Sequence, residues 1–571
     1  MTTSTLTDIV IVMAVAVVIT LIFGRLRLPT LVGLFVAGAL AGPNTFGLVK
    51  DVENVRTLAE VGVIFLLFTL GLEFSFRRMM RLARVILIAG PVQVILTGVA
   101  GAGVALAFGR PGSESAVLGM LLALSSTAVV IKTLTERGEV DTPLGRNALG
   151  ILIFQDILVV PMILVLPLLS GSEMKTSWNP LTIAGIAVGV IGGVIVGTKW
   201  IAPRLLYEAA RSRSTDVFLM AVVAICFAVA ALSASLGLSV ALGAFLAGLI
   251  ISESDYSHQA LGYMLPFRNL LVSFFFVSVG MLLDVGFLAG YWWIVILSTL
   301  CLLVAKTLTG MVAVLALRYP LRVAVGTGMG LSQVGEFSFV LAAVASSQAL
   351  LPNDLHQGFL AVAVLTMAVT PIMMGQTARA YRLVDRLRLP SWLAGRATTE
   401  GAGRRRLADH LLIIGYGLNG RNLARAAQEF GFPYVVVEMN PETVRRETAQ
   451  HEPICYGDAT NEAILSRAGA ARARATAVVI GDPAATRSIV AQLHRINPSL
   501  HIIARTRFLS EVQPLFALGA DDVVPEEFET SIEIFYRTAR YFALPEERIE
   551  RLAAAIRDDH YVLLRRAQQE D

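Results

Sequence analysis

From its start to about Gln376 the chain repeats apolar windows of roughly 17–25 residues, the length a helix needs to cross a bilayer. A helix that is apolar all round must be buried in protein or in lipid, and this many of them exceeds what one soluble core can cover. Composition agrees with lipid as the second solvent. The 571 residues are 55% hydrophobic and 16% charged, whereas a soluble domain carries about 25% charged residues. Hydropathy places about thirteen spans, near 8–24, 30–48, 57–74, 86–108, 115–134, 147–170, 181–203, 215–235, 238–252, 267–283, 286–317, 322–346 and 357–376. The first has no basic leader and no small-residue cleavage site, so it is expected to be retained.

The placement of charge orients these spans. Arg25, Arg27, Arg77, Arg84, Arg137, Arg146, Arg211, Arg268, Arg318 and Arg322 fall in or beside odd-numbered loops, whereas even-numbered loops hold only Lys50, Arg56, Arg110 and Lys175. Basic residues favour the cytoplasmic side. The N-terminus is therefore expected outside a cell (inner) membrane, and everything after Gln376 in the cytoplasm. Net charge is +4, but the arginines cluster beside spans and in one linker, which argues against nucleic acid as a partner. Cys226, Cys301 and Cys455 lie far apart and offer no disulfide or metal-ligand spacing.

The membrane region also contains an internal repeat. Gly33, Phe35, Ala37 and Gly38 in the second span match Gly243, Phe245, Ala247 and Gly248 in the ninth, 210 positions later. Phe65 and Gly71 match Phe274 and Gly280 at an offset of 209, and Ser125 matches Ser332 at 207. Matching spans are seven apart, and an odd separation turns the two copies in opposite directions through the membrane. Inverted repeats with interrupted helices are the architecture of secondary transporters.

Polar residues inside the spans mark the candidate site. Gln155 and Asp156 interrupt an apolar run, and a carboxylate at bilayer depth costs roughly 2.5–3.5 kcal/mol on the gentlest scale. Lys306 in the eleventh span is the expected cationic partner, and a buried ion pair that only fixes packing is the competing reading. Ser125, Ser126 and Thr127 lie mid-span in the fifth. Their repeat mate reads Gly330 through Phe337 and contains Ser332, Gln333 and Glu336. Paired, glycine-interrupted polar segments point to broken helices around an ion site.

After a basic linker from Arg379 to Ala408, strands and helices alternate, the pattern of a parallel α/β sheet. Strand Leu411–Ile414 runs into Gly415-Tyr416-Gly417-Leu418-Asn419-Gly420 and then a helix, with Glu438 closing the next strand. That context turns a weak Gly-x-Gly-x-x-Gly signal into a dinucleotide fingerprint: glycines bring backbone N–H groups to phosphate, and Glu438 accepts ribose hydroxyls. A glutamate there repels a 2′-phosphate, so NADP is disfavoured. Residues after about Glu526 read as helix. The expected domains are 1–378 in the membrane, linker 379–408, Rossmann domain 409–526 and helical extension 527–571.

The motifs Leu58-Ala59-Glu60-Val61-Gly62, Gly71-Leu72-Glu73, Gln155-Asp156, Ala241 to Gly248 and Gly335-Glu336-Phe337 resemble those of the cation:proton antiporter-2 family. The Gln-Asp pair is similar to that of its Kef-type K+/H+ branch. The resemblance implies an inverted-repeat antiporter that is a homodimer with elevator-like access, and K+ or H+ held in turn at Asp156. Gln155, Ser125, Ser126, Thr127, Lys306, Gln333 and Glu336 complete the candidate set. Gly457-Asp458-Ala459-Thr460 resembles the K+-conductance-regulator type of Rossmann domain, which implies NAD(H) or AMP as regulatory nucleotide, with Asp458 and Ala459 in its site. Kef proteins gated by glutathione carry an acidic loop before the tenth span. The segment from Ser252 to Tyr263 keeps Glu253 and Asp255 but has no second acidic group nearer Pro266, which puts glutathione gating in doubt. Two alternatives remain open, a Na+/H+ antiporter and a ligand-gated K+ efflux system. An enzyme is not expected, because only about fifty residues follow the sheet and no hydride-acceptor domain remains.

Overall fold

The computed structural model describes residues 3–566, less 27, 50–51, 74–79, 81, 141, 171–196, 198–199, 201, 236–239, 378, 382–407 and 543. The expected span 181–203 and linker 379–408 lie almost entirely outside the described residues. Packing divides the chain into two compact units. The first comprises Met1–Val130, Ala148–Ala313 and Gly328–Gln376, and the second Ile131–Asn147, Val314–Thr327 and Thr377–Asp571.

The helices of the N-terminal region are α1 Thr3–Arg25, α2 Thr30–Ala41, α3 Val52–Glu73, α4 Gly90–Ala107 (entered through a π-helical turn, Val85–Ala89), α5 Gly112–Ala123, α6 Thr127–Glu136, α7 Pro143–Leu169 and α8 Ala202–Arg211. They continue with α9 Thr215–Ser235, α10 Val240–Ser252, α11 Ser257–Met281, α12 Val285–Ala316, α13 Leu321–Gly330, α14 Glu336–Ser347 and α15 Asn353–Gly375. Among the described residues, eight helical stretches are long and apolar enough to cross a membrane, and three shorter ones are apolar. Two expected spans are each broken in the middle. The fifth is split into α5 and α6 at Leu124–Ser126, and the twelfth into α13 and α14 at Leu331–Gly335.

The repeat glycines have a packing reason. A Cβ on Gly38 of α2 would stand 2.0 Å from the Val277 carbonyl oxygen of α11, and one on Gly280 of α11 would stand 2.1 Å from that of Phe35 in α2. Likewise Gly71 of α3 meets the Phe245 carbonyl of α10 at 2.3 Å, and Gly248 of α10 meets that of Phe68 in α3 at 2.0 Å. Helices α2 and α3 of one copy thus cross α11 and α10 of the other, backbone against backbone, and the glycine occurs in both because the contact is reciprocal. Small residues that permit close approach are the usual device where no hydrophobic force separates helix from lipid. Phe339 of α14 packs against Phe35, Phe276 and Phe359, at ring-centroid distances of 6.0, 5.7 and 5.8 Å, and seats the second broken helix on this scaffold.

In the second unit, six parallel strands take the order β3-β2-β1-β4-β5-β6. They are β1 His410–Ile414, β2 Tyr434–Glu438, β3 Ile454–Tyr456, β4 Ala473–Val478, β5 His501–Thr506 and β6 Asp522–Pro525. Between them run α16 Leu418–Phe430, α17 Pro441–Thr448, α18 Glu462–Arg467, α19 Pro483–Ile496 and α20 Val512–Ala517, and α21 Glu526–Tyr541 and α22 Glu546–Arg566 follow. This is the doubly wound order, whose ligand crevice opens where the winding reverses, between β1 and β4. The sequence reading put the fourth strand near Ala477–Ile480; it runs Ala473–Val478, and its first residues, with Arg474 exposed between two alanines, lack the apolar run that would mark its start. The two helix-end segments 131–147 and 314–327 pack with the tail. Phe508 stands 3.0 Å from where a Cβ on Gly138 would be, and the Tyr456 hydroxyl donates to the Arg318 carbonyl at 2.9 Å.

The reciprocal glycine contacts predict that Gly248→Val lowers the melting temperature sharply, losing about 3 kcal/mol or more, as severe overpacking does. Gly103→Ala, with nothing within 4 Å of the new methyl, should melt with the parent. Thermal unfolding of both purified variants checks the contrast, and an unchanged Gly248→Val protein would disprove the close crossing.

Candidate functional site

The two broken helices meet at their interruptions. Gly335 donates its N–H to the Leu124 carbonyl at 3.1 Å, the Ser125 hydroxyl donates to the Leu331 carbonyl at 2.9 Å, and the Ser338 hydroxyl donates to that of Leu121 at 2.7 Å. A Cβ at Gly335 would sit 2.7 Å from the Ser125 carbonyl oxygen, so only glycine fits this crossing. Gln333 donates to the Ser126 carbonyl at 3.3 Å, and the Ser126 hydroxyl caps α6 by accepting from the Val129 N–H at 3.3 Å. Interrupting a helix exposes N–H and C=O groups that water would otherwise satisfy. Here the partner segment and nearby side chains satisfy them.

Lys306 belongs to this group, and the expected Asp156–Lys306 ion pair is corrected. Among the described residues no ion pair joins the two. The fully buried Lys306 ammonium donates instead to the Leu122 and Leu124 carbonyls, at 2.8 and 2.5 Å. These carbonyls end α5, where orphan acceptors and the negative end of the helix dipole both attract a cation. Gln155 is likewise hydrogen-bonded at the break. Its Oε1 accepts the Ser125 N–H at 2.7 Å, and its Nε2 donates to Gln93 Oε1 at 2.6 Å and to the Ala123 carbonyl at 3.3 Å. Gln93, Thr97 and Thr309 extend this chain, with Gln93 Nε2 3.1 Å from Thr97 Oγ1 and the two threonine hydroxyls 2.8 Å apart. The sequence reading missed these three. The available signal was Gln93, a lone amide in the apolar fourth span.

Asp156 differs from its neighbour. It is half-buried where Gln155 is 1% exposed, and among the described residues its side chain is met by the Thr127 hydroxyl, at 3.3 and 3.1 Å from its two oxygens. Most of its acceptor capacity therefore remains for an incoming cation or proton. Glu336 opens α14 and accepts the Ala128 N–H of α6 at 3.4 Å, while its second oxygen is buried without a hydrogen-bond partner. Two carboxylates thus stand at the positive N-terminal ends of two half-helices, which offsets part of their desolvation cost.

In the Rossmann domain each glycine of the fingerprint does a different job. Gly415 adopts φ +99°, open to glycine at least cost, and a Cβ at Gly420 would lie 2.0 Å from the Gly415 carbonyl oxygen. Gly417 starts α16 without a side-chain cap and has nothing within 4 Å of its would-be Cβ, leaving the first N–H groups of the helix open to an anion. Leu418 is exposed and Asn419 half-buried on that turn. Glu438 does more than the sequence suggested. Its oxygens accept the Tyr416 N–H at 2.7 Å and those of Met439 and Asn440 at 2.8 and 2.7 Å, so it ties the glycine turn to the end of β2. Asp458 accepts from the N–H and hydroxyl of Thr460 at 2.9 and 2.7 Å and shapes the turn after β3, beside Ala459. These groups line a cavity of about 510 Å3 within the second unit. Burial pushes the Cys455 thiol up to about 11, against a weaker pull from Arg467, and it donates to the Val436 carbonyl.

Interrupted helices crossing at a half-buried carboxylate define a membrane transporter, joined here to a parallel-sheet Rossmann domain. The chain belongs to the sodium/hydrogen exchanger transmembrane family, whose model matches residues 11–380, and residues 411–526 match the TrkA-N domain. It is 31% identical to a protein of Alkalimonas amylolytica provisionally named K(+) efflux antiporter KefB, covering 98% of this chain and 85% of that one. It is also 31% identical to K(+) efflux antiporter 3, chloroplastic, of Arabidopsis thaliana, covering 96% and 74%. The sodium proton antiporter MjNhaP1 of Methanocaldococcus jannaschii aligns at 15% identity and a TM-score of 0.47, over 67% of this chain and all but 1% of its own.

The hydrogen bonds predict that Lys306→Gln loses about 1–3 kcal/mol, the cost of leaving buried acceptors unmet, and that adding Asp156→Asn does not rescue it. Thermal melts of both single variants and the double should be additive within about 0.5 kcal/mol. Restored stability in the double variant would reinstate the ion pair.

Proposed function

We propose that this chain is a secondary active antiporter exchanging K+ for H+, with Asp156 as the group that holds either ion and a nucleotide in the Rossmann cavity as its regulator. The observation that carries the reading is the half-buried Asp156 carboxylate at the helix crossing, met among the described residues by the Thr127 hydroxyl. A carboxylate in that position binds a partly dehydrated cation or a proton, and cannot hold both, which is the physical basis of obligatory exchange. Thr127 orients it, and Ser126, Gln333 and Glu336 supply further oxygens at the crossing. Gln155, Ser125 and Lys306 hold the interruption in shape.

Two kinds of relative support K+ as the cargo, since both carry K+ efflux in their names. The family description favours the Na+ alternative. Flux decides: proton movement in proteoliposomes under K+, Na+ and Rb+ gradients should be driven by K+ and Rb+ over Na+. Asp156→Asn should bring it to background at parental yield, because the amide can neither release a proton nor offer a negative charge. Robust exchange by that variant, normalised to folded protein, would refute the assignment. A homodimer in the inner membrane, with the N-terminus outside and the Rossmann domain in the cytoplasm, belongs to the same reading.

The regulatory ligand is NAD(H) or an adenine mononucleotide such as AMP. Glu438 would face the ribose, with Asp458 and Ala459 beside it and the turn from Gly415 to Gly420 at the phosphate. A 2′-phosphate would meet the Glu438 carboxylate, so NAD(H) should bind on the order of tenfold more tightly than NADP(H), a difference of about 1.4 kcal/mol. Calorimetry on the full-length protein in detergent measures this, and equal affinities would show that Glu438 does not read the ribose.

A further inference from the structure

The cavity that holds the glycine turn is not closed by the Rossmann domain alone. Within the same compact unit it is also lined by Thr142, Pro143 and Arg146, from the start of α7, and by Tyr319 and Arg322, from the start of α13. Of the lining carboxylates, Glu438 and Asp458 accept the N–H and hydroxyl bonds described above. Glu511 pairs with Arg487 at 2.7 Å, Glu526 pairs with Arg505, and Asp482 caps α19 by accepting the Ala485 N–H at 2.9 Å. Arg146 is exposed and makes no ion pair among the described residues. The Arg322 guanidinium stacks on the Tyr381 ring, 4.5 Å from its centroid, which holds it in one place on the lining. Two arginines and two helix N-termini on this side of the cavity are groups that attract anions.

We propose that Arg146 and Arg322 form a second phosphate-binding element of the nucleotide site, so that its preferred occupant is an adenine nucleotide with at least two phosphates. The inference rests on the nucleotide reading above and adds to it the discrimination between one phosphate and two. The turn from Gly415 to Gly420 provides backbone N–H groups for one phosphate. A monophosphate uses no more than that. A diphosphate, as in ADP or a dinucleotide, carries a second anionic group, and about 510 Å3 is the size of an ordinary small-molecule site. The consequence reaches the ion site through the chain itself. Arg146 lies ten residues before Asp156 on α7, about 15 Å along one helix. Arg322 lies on α13, which ends at the interruption before Glu336. A ligand held by both arginines grips the ends of the two helices that shape the crossing.

Binding of ADP, AMP and adenosine to the full-length protein in detergent tests this, by calorimetry on the parent, Arg146→Gln, Arg322→Gln and Arg322→Lys. The parent should prefer ADP over AMP. Arg146→Gln should weaken ADP roughly tenfold, the loss of one charge-assisted contact, while AMP and adenosine change by no more than about twofold. Arg322→Gln should do the same, with partial recovery in Arg322→Lys. Arg146 is exposed, so its variant stays informative if loss of the Arg322 stack perturbs folding, which the ligand-free melting temperature reports. ADP binding unchanged in both glutamine variants, while the parent binds AMP and ADP alike, would overturn the proposal and leave the nucleotide site standing. A parent protein that binds none of the three would overturn both.

Discussion

Everything in the membrane region depends on how two interrupted helices end. A helix broken inside lipid leaves N–H and C=O groups that cost several kcal/mol each when unsatisfied. In this protein the ends of α5 and α6, α13 and α14 satisfy one another through the Gly335 to Leu124 bond, the Ser125 and Ser338 hydroxyls, the Gln155 amide and the Lys306 ammonium. Lys306 has a double effect, because it fills orphan acceptors and places a positive charge at the negative end of α5. With those ends met, Asp156 is left out of the network except for Thr127.

The scaffold holding that crossing is built on the same economy of backbone contact. Gly38 and Gly280, Gly71 and Gly248 place helices of one repeat against carbonyl groups of the other. The Rossmann domain is governed by a parallel constraint. Gly415 and Gly420 fold the turn tightly, and Glu438 ties it to β2, so the N-terminus of α16 faces the cavity without its own side chains in the way.

Much of this was legible in the sequence where a single physical rule acts locally. Bilayer-length apolar windows, the Gly-x-Gly-x-x-Gly turn between strand and helix, and a carboxylate within an apolar run each follow from solvent or from backbone geometry. The repeat was legible as spacing before its reason was known, since reciprocal contacts force the same glycine into both copies. The Lys306 pairing was not. Sequence offers a cation and an anion in one membrane region and charge attraction suggests they meet, but the orphan carbonyls that compete for Lys306 exist only once the break in α5 is placed in space. The partners of Gln155 were hidden for the same reason: Gln93 and the Ser125 N–H lie 62 and 30 positions away.

What the sequence determined by itself was the solvent of each part, the existence of a repeat, the position of the breaks, and the nucleotide turn, because each depends on residues within a few positions of one another or on a pattern of spacing. Only the tertiary structure decided which polar groups are spent on holding the backbone and which remain for chemistry. It was also the tertiary structure that brought Arg146 and Arg322 to the cavity of the glycine turn, from segments more than 90 positions before it. The physical reason is that a hydrogen-bond acceptor is claimed by whichever donor reaches it first in space. Distance along the chain carries no information about that once helices fold back across one another.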